Sequence, residues 1–160
     1  MSMTIELCET RVTLPVGARP LRFWGAVMID GQRAFLADNH TRDGRIRLRA
    51  LRGFDRTQVD AELAHSRPPV EAEGHSFPTT LELEVAMLAD RAAIIADLRL
   101  RLRDMVLAIE QDRVRAYPAT PANRMLIELV AVARTPDAVL LEEDDPLAFE
   151  RAADLILGRH

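Results

Sequence analysis

Hydrophobic and polar residues alternate most regularly between Leu21 and Arg52, and the alternation predicts three consecutive β-strands. The first of these strands places its apolar residues on one face, namely Leu21, Phe23, Val27 and Ile29. Asp30-Gly31 is a dipeptide that tight hairpins favour, because glycine tolerates a positive φ. The third strand, Arg45 to Ala50, alternates strictly, so its arginines share one face and its apolar residues share the other.

The chain on either side of these strands carries further patterns. Thr4 to Val16 is rich in β-formers and predicts a leading strand or two. Thr57 to Ala64 predicts a short helix, with Thr57 as N-cap and Asp60 at the capping-box position. Val70 to Phe77 predicts a strand, and Thr80 to Met87 predicts another. In the latter, apolar residues alternate with glutamates: Leu81, Leu83 and Val85 against Glu82 and Glu84.

The hydrophobic period changes after Ala86. Five apolar residues then recur at alternating spacings of three and four, a heptad pattern; they are Ile95, Leu98, Leu102, Met105 and Ile109. They predict one helix from about Leu88 to Arg115. Leu98 to Arg103 alternates like a strand, but the flanking Ala, Asp, Met and Gln residues favour the helix.

Prolines that follow a Thr or Asp predict three later helix starts. The predicted helices cover Pro121 to Arg134, Pro136 to Glu142 and Pro146 to Leu157. Gly158 is a suitable C-terminal stop for the last of them, because glycine adopts the left-handed conformation readily.

The predicted order of elements is three strands, a short helix and two strands. This order is similar to that of the oligonucleotide/oligosaccharide-binding (OB) fold, a five-stranded Greek-key barrel. The resemblance lies in G-x-V-x-x-x-G-x-x-x-F-L-x-D (Gly25 to Asp38), G-x-I-R-L-R (Gly44 to Arg49), V-E-A-E-G (Val70 to Gly74), F-P (Phe77-Pro78) and L-E-L-E-V (Leu81 to Val85). It implies an α+β protein, with an N-terminal five-stranded OB-like β-barrel over 1–88. A helical region over 89–160 would follow, with a long helix and two or three shorter ones. A barrel followed by a helix also resembles the smaller subunits of replication protein A-like complexes, whose C-terminal helix bundles with partners.

Charge is unevenly distributed along the chain. The net charge is −4, and all 21 basic residues are arginines. From Arg11 to Arg56 ten arginines face four aspartates, which gives +6 and leaves −10 for the rest of the chain. A basic segment joined to an acidic remainder predicts either an anion-facing surface or two regions that attract each other.

Trp24 and the arginines around it are the candidate ligand site. On neighbouring strands they would combine an aromatic face for stacking bases with guanidinium groups for phosphates, which is what single-stranded DNA or RNA requires. The arginines are Arg22, Arg33, Arg45, Arg47 and Arg49. In the alternative interpretation, Trp24 packs under the C-terminal helix, and the arginines pair with the acidic residues of that helix.

The heptad residues Ile95, Leu98, Leu102, Met105 and Ile109 are the candidate surface for a protein partner or homo-oligomer. Their alternative role is to cover one end of the barrel or to pack on the last helices. The sequence therefore predicts a non-catalytic module that binds single-stranded nucleic acid, or else a structural adaptor or assembly subunit.

Other functions have less support in the sequence. Asn39 to Gly44 fits the N-x-[ST]-x-x-G half of the PilZ cyclic-dinucleotide signature, but the nearby R-x-x-x-R, Arg45 to Arg49, lies downstream instead of upstream. No metal-ligand spacing, nucleophile elbow or phosphate loop occurs, so we expect no catalysis, no cofactor and no metal. The single cysteine, Cys8, and the lack of a signal pattern or membrane-length apolar run predict a cytoplasmic protein without membrane contact.

Overall fold

The computed structural model describes residues 3–15 and 20–159. It shows an α+β protein whose sheets are antiparallel. The chain divides into two compact units, 1–92 and 93–160, and the boundary falls within a helix. Within the described ranges, none of the helices combines the length and the apolar content needed to cross a lipid bilayer.

The first unit begins with a four-stranded meander. Its strands are β1 (Ile5–Thr13), β2 (Arg22–Ile29), β3 (Gln32–Asp38) and β4 (Arg47–Ala50), hydrogen-bonded in the order β1-β2-β3-β4. The three strands predicted between Leu21 and Arg52 are therefore confirmed, as is the leading strand, although its predicted last residue, Val16, lies outside the described residues. The hairpin at Asp30-Gly31 is also confirmed: their φ angles are 48° and 78°, as the tight turn requires.

Two helices cover one face of this sheet, which we call the inner face. They are α1 (Arg56–Ser66) and α2 (Leu81–Arg101), separated by the short hairpin of β5 (Val70–Ala72) and β6 (His75–Phe77). The core includes buried residues from the sheet, among them Phe23, Val27, Ile29, Phe35 and Ala37, together with Val59, Leu63, Leu81, Val85 and Ala89 from the helices. Alternation along β2 thus places its apolar face in the core, as predicted.

The predicted closed barrel is absent from the described part of the chain, where the strands form separate four-, two- and three-stranded sheets. The prediction of a strand over Thr80 to Met87 is wrong, because this segment belongs to α2. Leu81, Val85 and Ala89 are spaced by four residues, and all three are buried as one stripe of the helix. The predicted strand over Val70 to Phe77 is instead a hairpin, since Glu73 and Gly74 turn the chain with φ angles of 50° and 78°.

Helix α1 begins earlier than predicted. Its N-cap is Asp55, whose side chain accepts a hydrogen bond from the Gln58 amide over 3.2 Å, so Thr57 is not the cap. Asp60 does not complete a capping box. Its Oδ1 accepts the Leu81 amide over 2.7 Å, so it links α1 to the start of α2.

The second unit contains a three-stranded sheet where the sequence predicts only helices. After α2 ends at Arg101 come β7 (Met105–Glu110), β8 (Arg113–Pro118), α3 (Arg124–Arg134), β9 (Val139–Leu140) and α4 (Pro146–Leu157). The strands are hydrogen-bonded in the order β8-β7-β9. The predicted helix from Leu88 to Arg115 is therefore wrong beyond Arg101. The short helix predicted over Pro136 to Glu142 is also wrong, since β9 lies there.

The last two helices agree better with the prediction. Helix α4 has the predicted bounds: Asp145 caps it by accepting the Ala148 amide over 3.1 Å, and Gly158 ends it with a φ of 68°. Helix α3 is confirmed over most of its length, but it begins at Arg124 after the N-cap Asn123 instead of at Pro121. Helix α3 packs against β7, and α4 packs against β8.

Candidate functional site

The outer face of the four-stranded sheet carries Trp24, Arg47 and Arg49 of the predicted Trp/Arg constellation, whereas Arg45 lies in the segment before β4. Directly paired residues of antiparallel strands project to the same face. Trp24 on β2 pairs with Arg11 on β1 and with Asp38 on β3, and Asp38 pairs with Arg47 on β4. One row of side chains, Arg11-Trp24-Asp38-Arg47, therefore crosses all four strands, and Cys8-Ala26-Leu36-Arg49 forms the next row.

A groove lies along this face and the edge formed by β4. Its volume is about 780 Å³, and it is lined by Trp24, Leu36, Asp38, His40, Ile46, Arg47, Leu48, Arg49 and Arg56. Trp24 is half-buried, whereas Arg47 and Arg49 are exposed. Trp24 is among the lining residues, and the groove has both apolar and cationic walls.

Asp38 and Arg47 form the best-defined ion pair in the groove. Arg47 donates to Asp38 Oδ1 from Nη2 over 2.8 Å and from Nε over 3.1 Å, and the His40 amide donates to the same oxygen over 3.0 Å. Burial raises the pKa of Asp38, but the hydrogen bonds from Arg47 and the His40 amide, with the Arg47 charge, outweigh it and leave the pKa below its ordinary value. Asp38 is therefore ionised at neutral pH, and it neutralises much of the Arg47 charge.

Besides Arg47, three further predicted arginines are engaged by the protein itself. Arg22 donates to the carbonyl oxygens of Asn39 and Thr41, and so it holds the turn after β3. Arg33 is hydrogen-bonded to Glu9. Arg45 forms an exposed ion pair with Asp43, with 3.2 Å between Nε and Oδ2. Exposed pairs of this kind are weak, so Arg45 and Arg33 can exchange their carboxylate partners for a ligand. Arg22, in contrast, serves to hold the turn after β3.

Arg49 and Arg11 are the cations that the face leaves unpaired: neither makes a hydrogen bond or ion pair with any residue in the described ranges. Arg49 lines the groove, and Arg11 is the exposed cross-strand neighbour of Trp24. The sequence interpretation included Arg49 but missed Arg11 and Asp38. Alternation along β1 was available as a signal, but only the register between the strands shows which residues stand beside Trp24.

The five residues predicted to bind a protein partner do not form one stripe along a helix. Ile95 and Leu98 are on α2, Leu102 is in the turn that follows, and Met105 and Ile109 are on β7. All five belong to the core of the second unit or pack against it, and Leu98 and Ile109 are only 3% and 2% exposed. They pack within their own unit, which is the alternative role that the sequence left open, and a partner surface at the half-buried Ile95, Leu102 and Met105 stays a prediction.

An exposed apolar surface does exist in the second unit, on α3. Met125, Leu126 and Leu129 are 75%, 64% and 63% exposed, and Val130 and Val132 are also exposed. At 100° per residue these five side chains share one side of the helix, while Ala131 is buried on the other. The sequence predicts this helix but not which of its faces meets solvent.

The described residues hold no cluster of three or more His, Cys, Asp or Glu side chains that could bind a metal ion. Comparison with protein-family models, curated proteins and solved structures finds no match to this chain.

Proposed function

We propose that the first unit binds single-stranded nucleic acid, without catalysis, through the groove beside Trp24. The observation that supports this proposal is the placement of the only tryptophan and the unpaired Arg49 in one open groove, with Arg11 beside it. Bases would stack on the indole, and phosphates would meet the guanidinium groups. An open sheet covered by helices on its other face can serve as such a platform, so the proposal does not depend on a closed barrel.

The arginines differ in what they would contribute. Arg49 and Arg11 are free to contact phosphate, and Arg45 can exchange its exposed aspartate for phosphate at small cost. Arg47 is held by Asp38 and would contribute less to phosphate binding. We place the protein in the cytoplasm, where single-stranded RNA is abundant.

The test is a titration of Trp24 fluorescence with single-stranded DNA and RNA at low and high salt. We expect quenching that weakens as salt rises, because counterions are released when phosphates bind. A labelled oligonucleotide followed by anisotropy gives the affinity of variants that lack the indole. Trp24→Ala should weaken binding by roughly fivefold to a hundredfold, since one stacked base contributes about 1–3 kcal/mol.

Arg49→Glu should weaken binding similarly, because it places a like charge against the phosphates. Arg113→Glu is the matched control: Arg113 is also an exposed strand arginine, but it belongs to β8 in the second unit. Absence of binding to any single strand at low salt, or equal losses for the two arginine variants, contradicts the proposed function.

A second candidate function is that of an assembly subunit which self-associates through α3. The observation that favours it is the exposed apolar side of this helix, since contiguous apolar surface of that kind marks interaction sites. Its partner would then be a second copy of the chain, joined through the same surface on both molecules.

Sedimentation velocity at increasing protein concentration tests this second candidate. We expect the wild-type chain to form dimers and Leu129→Asp to stay monomeric. Leu147→Asp is the matched control, because Leu147 is a similarly exposed leucine, at 73%, but lies on α4. A wild-type chain that stays monomeric over the whole concentration range excludes self-association.

A further inference from the structure

Asp38 is an unexpected residue in a groove that is proposed to bind a polyanion. Its carboxylate stands between Trp24 and Arg47, as the direct cross-strand neighbour of both. A negative charge at this position opposes phosphate binding. Holding Arg47 in position would explain the role of Asp38 Oδ1. It would not explain a role for Asp38 Oδ2.

The two oxygens of Asp38 are used very differently. Oδ1 accepts all three hydrogen bonds, from Arg47 Nε, Arg47 Nη2 and the His40 amide. Oδ2 accepts none from any residue that the structure describes, and the side chain is 22% exposed where it lines the groove. An ionised carboxylate offers only acceptors, so Oδ2 is an acceptor without a partner among the described residues, on a residue that lines the groove.

Stacking on Trp24 would bring the edge of a base close to this acceptor. The Cβ atoms of directly paired residues on antiparallel strands are about 4.5–5.5 Å apart. A base lying on the indole therefore extends over the neighbouring strand, where its Watson–Crick edge meets Asp38. Such edges are the features by which proteins read single-stranded bases.

We propose that Asp38 makes the groove selective for guanine, an inference that rests on the proposed nucleic-acid binding. Guanine is the base whose Watson–Crick edge presents two adjacent N–H donors, the ring N1–H and the exocyclic N2–H, and both lone pairs of Oδ2 can accept them. Adenine and cytosine present one amino donor beside a ring-nitrogen acceptor. Thymine and uracil present one N–H between two carbonyl oxygens, which a carboxylate repels.

Arg47 fixes the position of the carboxylate. Its Nε and Nη2 hold Asp38, whereas Nη1 makes no bond within the described part of the chain. Nε and Nη2 are the nitrogens that face the carboxylate, so Nη1 is turned away from it and guanine recognition rests on Oδ2. The ion pair thus holds Oδ2 in place, and a site built on such an acceptor discriminates against bases that leave it unpaired.

The experiment compares labelled thymine nonamers that carry a single central guanine, hypoxanthine, adenine, cytosine or thymine, with anisotropy as the readout. For the wild-type chain we expect guanine to bind roughly tenfold more tightly than thymine, within the range typical of one good base contact. Hypoxanthine lacks the N2 amino group, so its affinity should fall between those of guanine and thymine.

Asp38→Asn tests the carboxylate directly. The amide oxygen can still accept from Arg47 and His40, but an NH₂ donor replaces Oδ2, so the preference for guanine should disappear while binding to the thymine nonamer persists. Arg49→Gln is the control, since it should weaken all five nonamers by the same factor. Should Asp38→Asn fail to fold, the guanine-to-hypoxanthine comparison in the wild-type chain still decides the question.

The outcomes separate the two proposals. Salt-sensitive binding with equal affinity for all five nonamers overturns guanine selection and leaves the proposed function intact. A guanine preference that Asp38→Asn retains, or a preference for another base, also overturns it. If no nonamer binds at low salt, both proposals fail together.

Discussion

The pKa of Tyr117, the only tyrosine of the chain, depends on the groups that surround its hydroxyl. Its hydroxyl donates to Glu110 Oε1 over 2.6 Å, and Glu110 is a buried carboxylate. This hydrogen bond raises the pKa of Tyr117, and burial and the Glu110 charge raise it further, although Arg134 and Arg115 act in the opposite direction. Tyr117 pairs with Val106 on β7, and Glu110 lies four residues further along that strand.

We predict that Tyr117 titrates above the ordinary value of 10.0. Since its folded pKa is raised, the stability it contributes is fully present below the pKa of an unfolded tyrosine and is lost as pH rises through the folded pKa. The phenolate absorbance of the folded chain measures this directly, without interference from a second tyrosine. Glu110→Gln removes the charge and should return the midpoint towards 10.0; an unchanged midpoint in this variant contradicts the assigned cause.

Among the secondary-structure elements, α4 depends most clearly on its own end residues. Asp145 accepts the Ala148 amide at the first turn, Pro146 occupies the first helical position, and Gly158 stops the helix. The helix buries Phe149 and Ala152 in the core of its unit. Local capping and tertiary packing therefore support the same helix.

Asp145→Ala should lower the free energy of unfolding by about 1 kcal/mol, because it leaves an amide of the first turn without its acceptor. Urea unfolding followed by circular dichroism provides the measurement. Asp144→Ala is the matched control: it removes the same charge one residue earlier, but Asp144 caps nothing. Equal losses in the two variants would assign the effect to charge near the helix N-terminus and not to the cap.

At the scale of the whole molecule, the charges are segregated along the chain. The +6 between Arg11 and Arg56 includes the groove, whereas the remaining residues sum to −10. If the groove binds nucleic acid as proposed, the polyanion meets this acidic chain through few cations. Its affinity should therefore depend on salt less steeply than that of a protein that is basic throughout.

If Arg11, Arg45 and Arg49 each meet a phosphate, the logarithm of the binding constant should fall with the logarithm of salt concentration at a slope of about −2. Anisotropy titrations of one single-stranded oligonucleotide over a range of NaCl concentrations give this slope. Arg49→Gln should reduce its magnitude by a little under one, because one contact is lost. An affinity that salt does not change would show that the arginines are not phosphate ligands.

The sequence predicts secondary structure correctly where a local pattern is compatible with only one structure. Strict alternation in β4, the Asp30-Gly31 turn and the capped helix α4 are of this kind, because backbone geometry and end residues decide them without help from distant parts. The shared face of Trp24, Arg47 and Arg49 also follows from alternation.

In some segments the apolar residues fit both the helical and the strand period. Only the tertiary structure decided between helix and strand there. Thr80 to Met87 alternates like a strand, yet it also places Leu81 and Val85 on one helical side, and packing against the sheet selects the helix. Met105 and Ile109 fit a heptad, but they lie in a strand whose two neighbours supply its hydrogen bonds. Strand register likewise brought Arg11 and Asp38 beside Trp24, and tertiary contacts engaged Arg22 and Arg33. Alternation fixes the face on which a side chain lies, but its neighbours across the sheet depend on pairings between residues far apart in the chain.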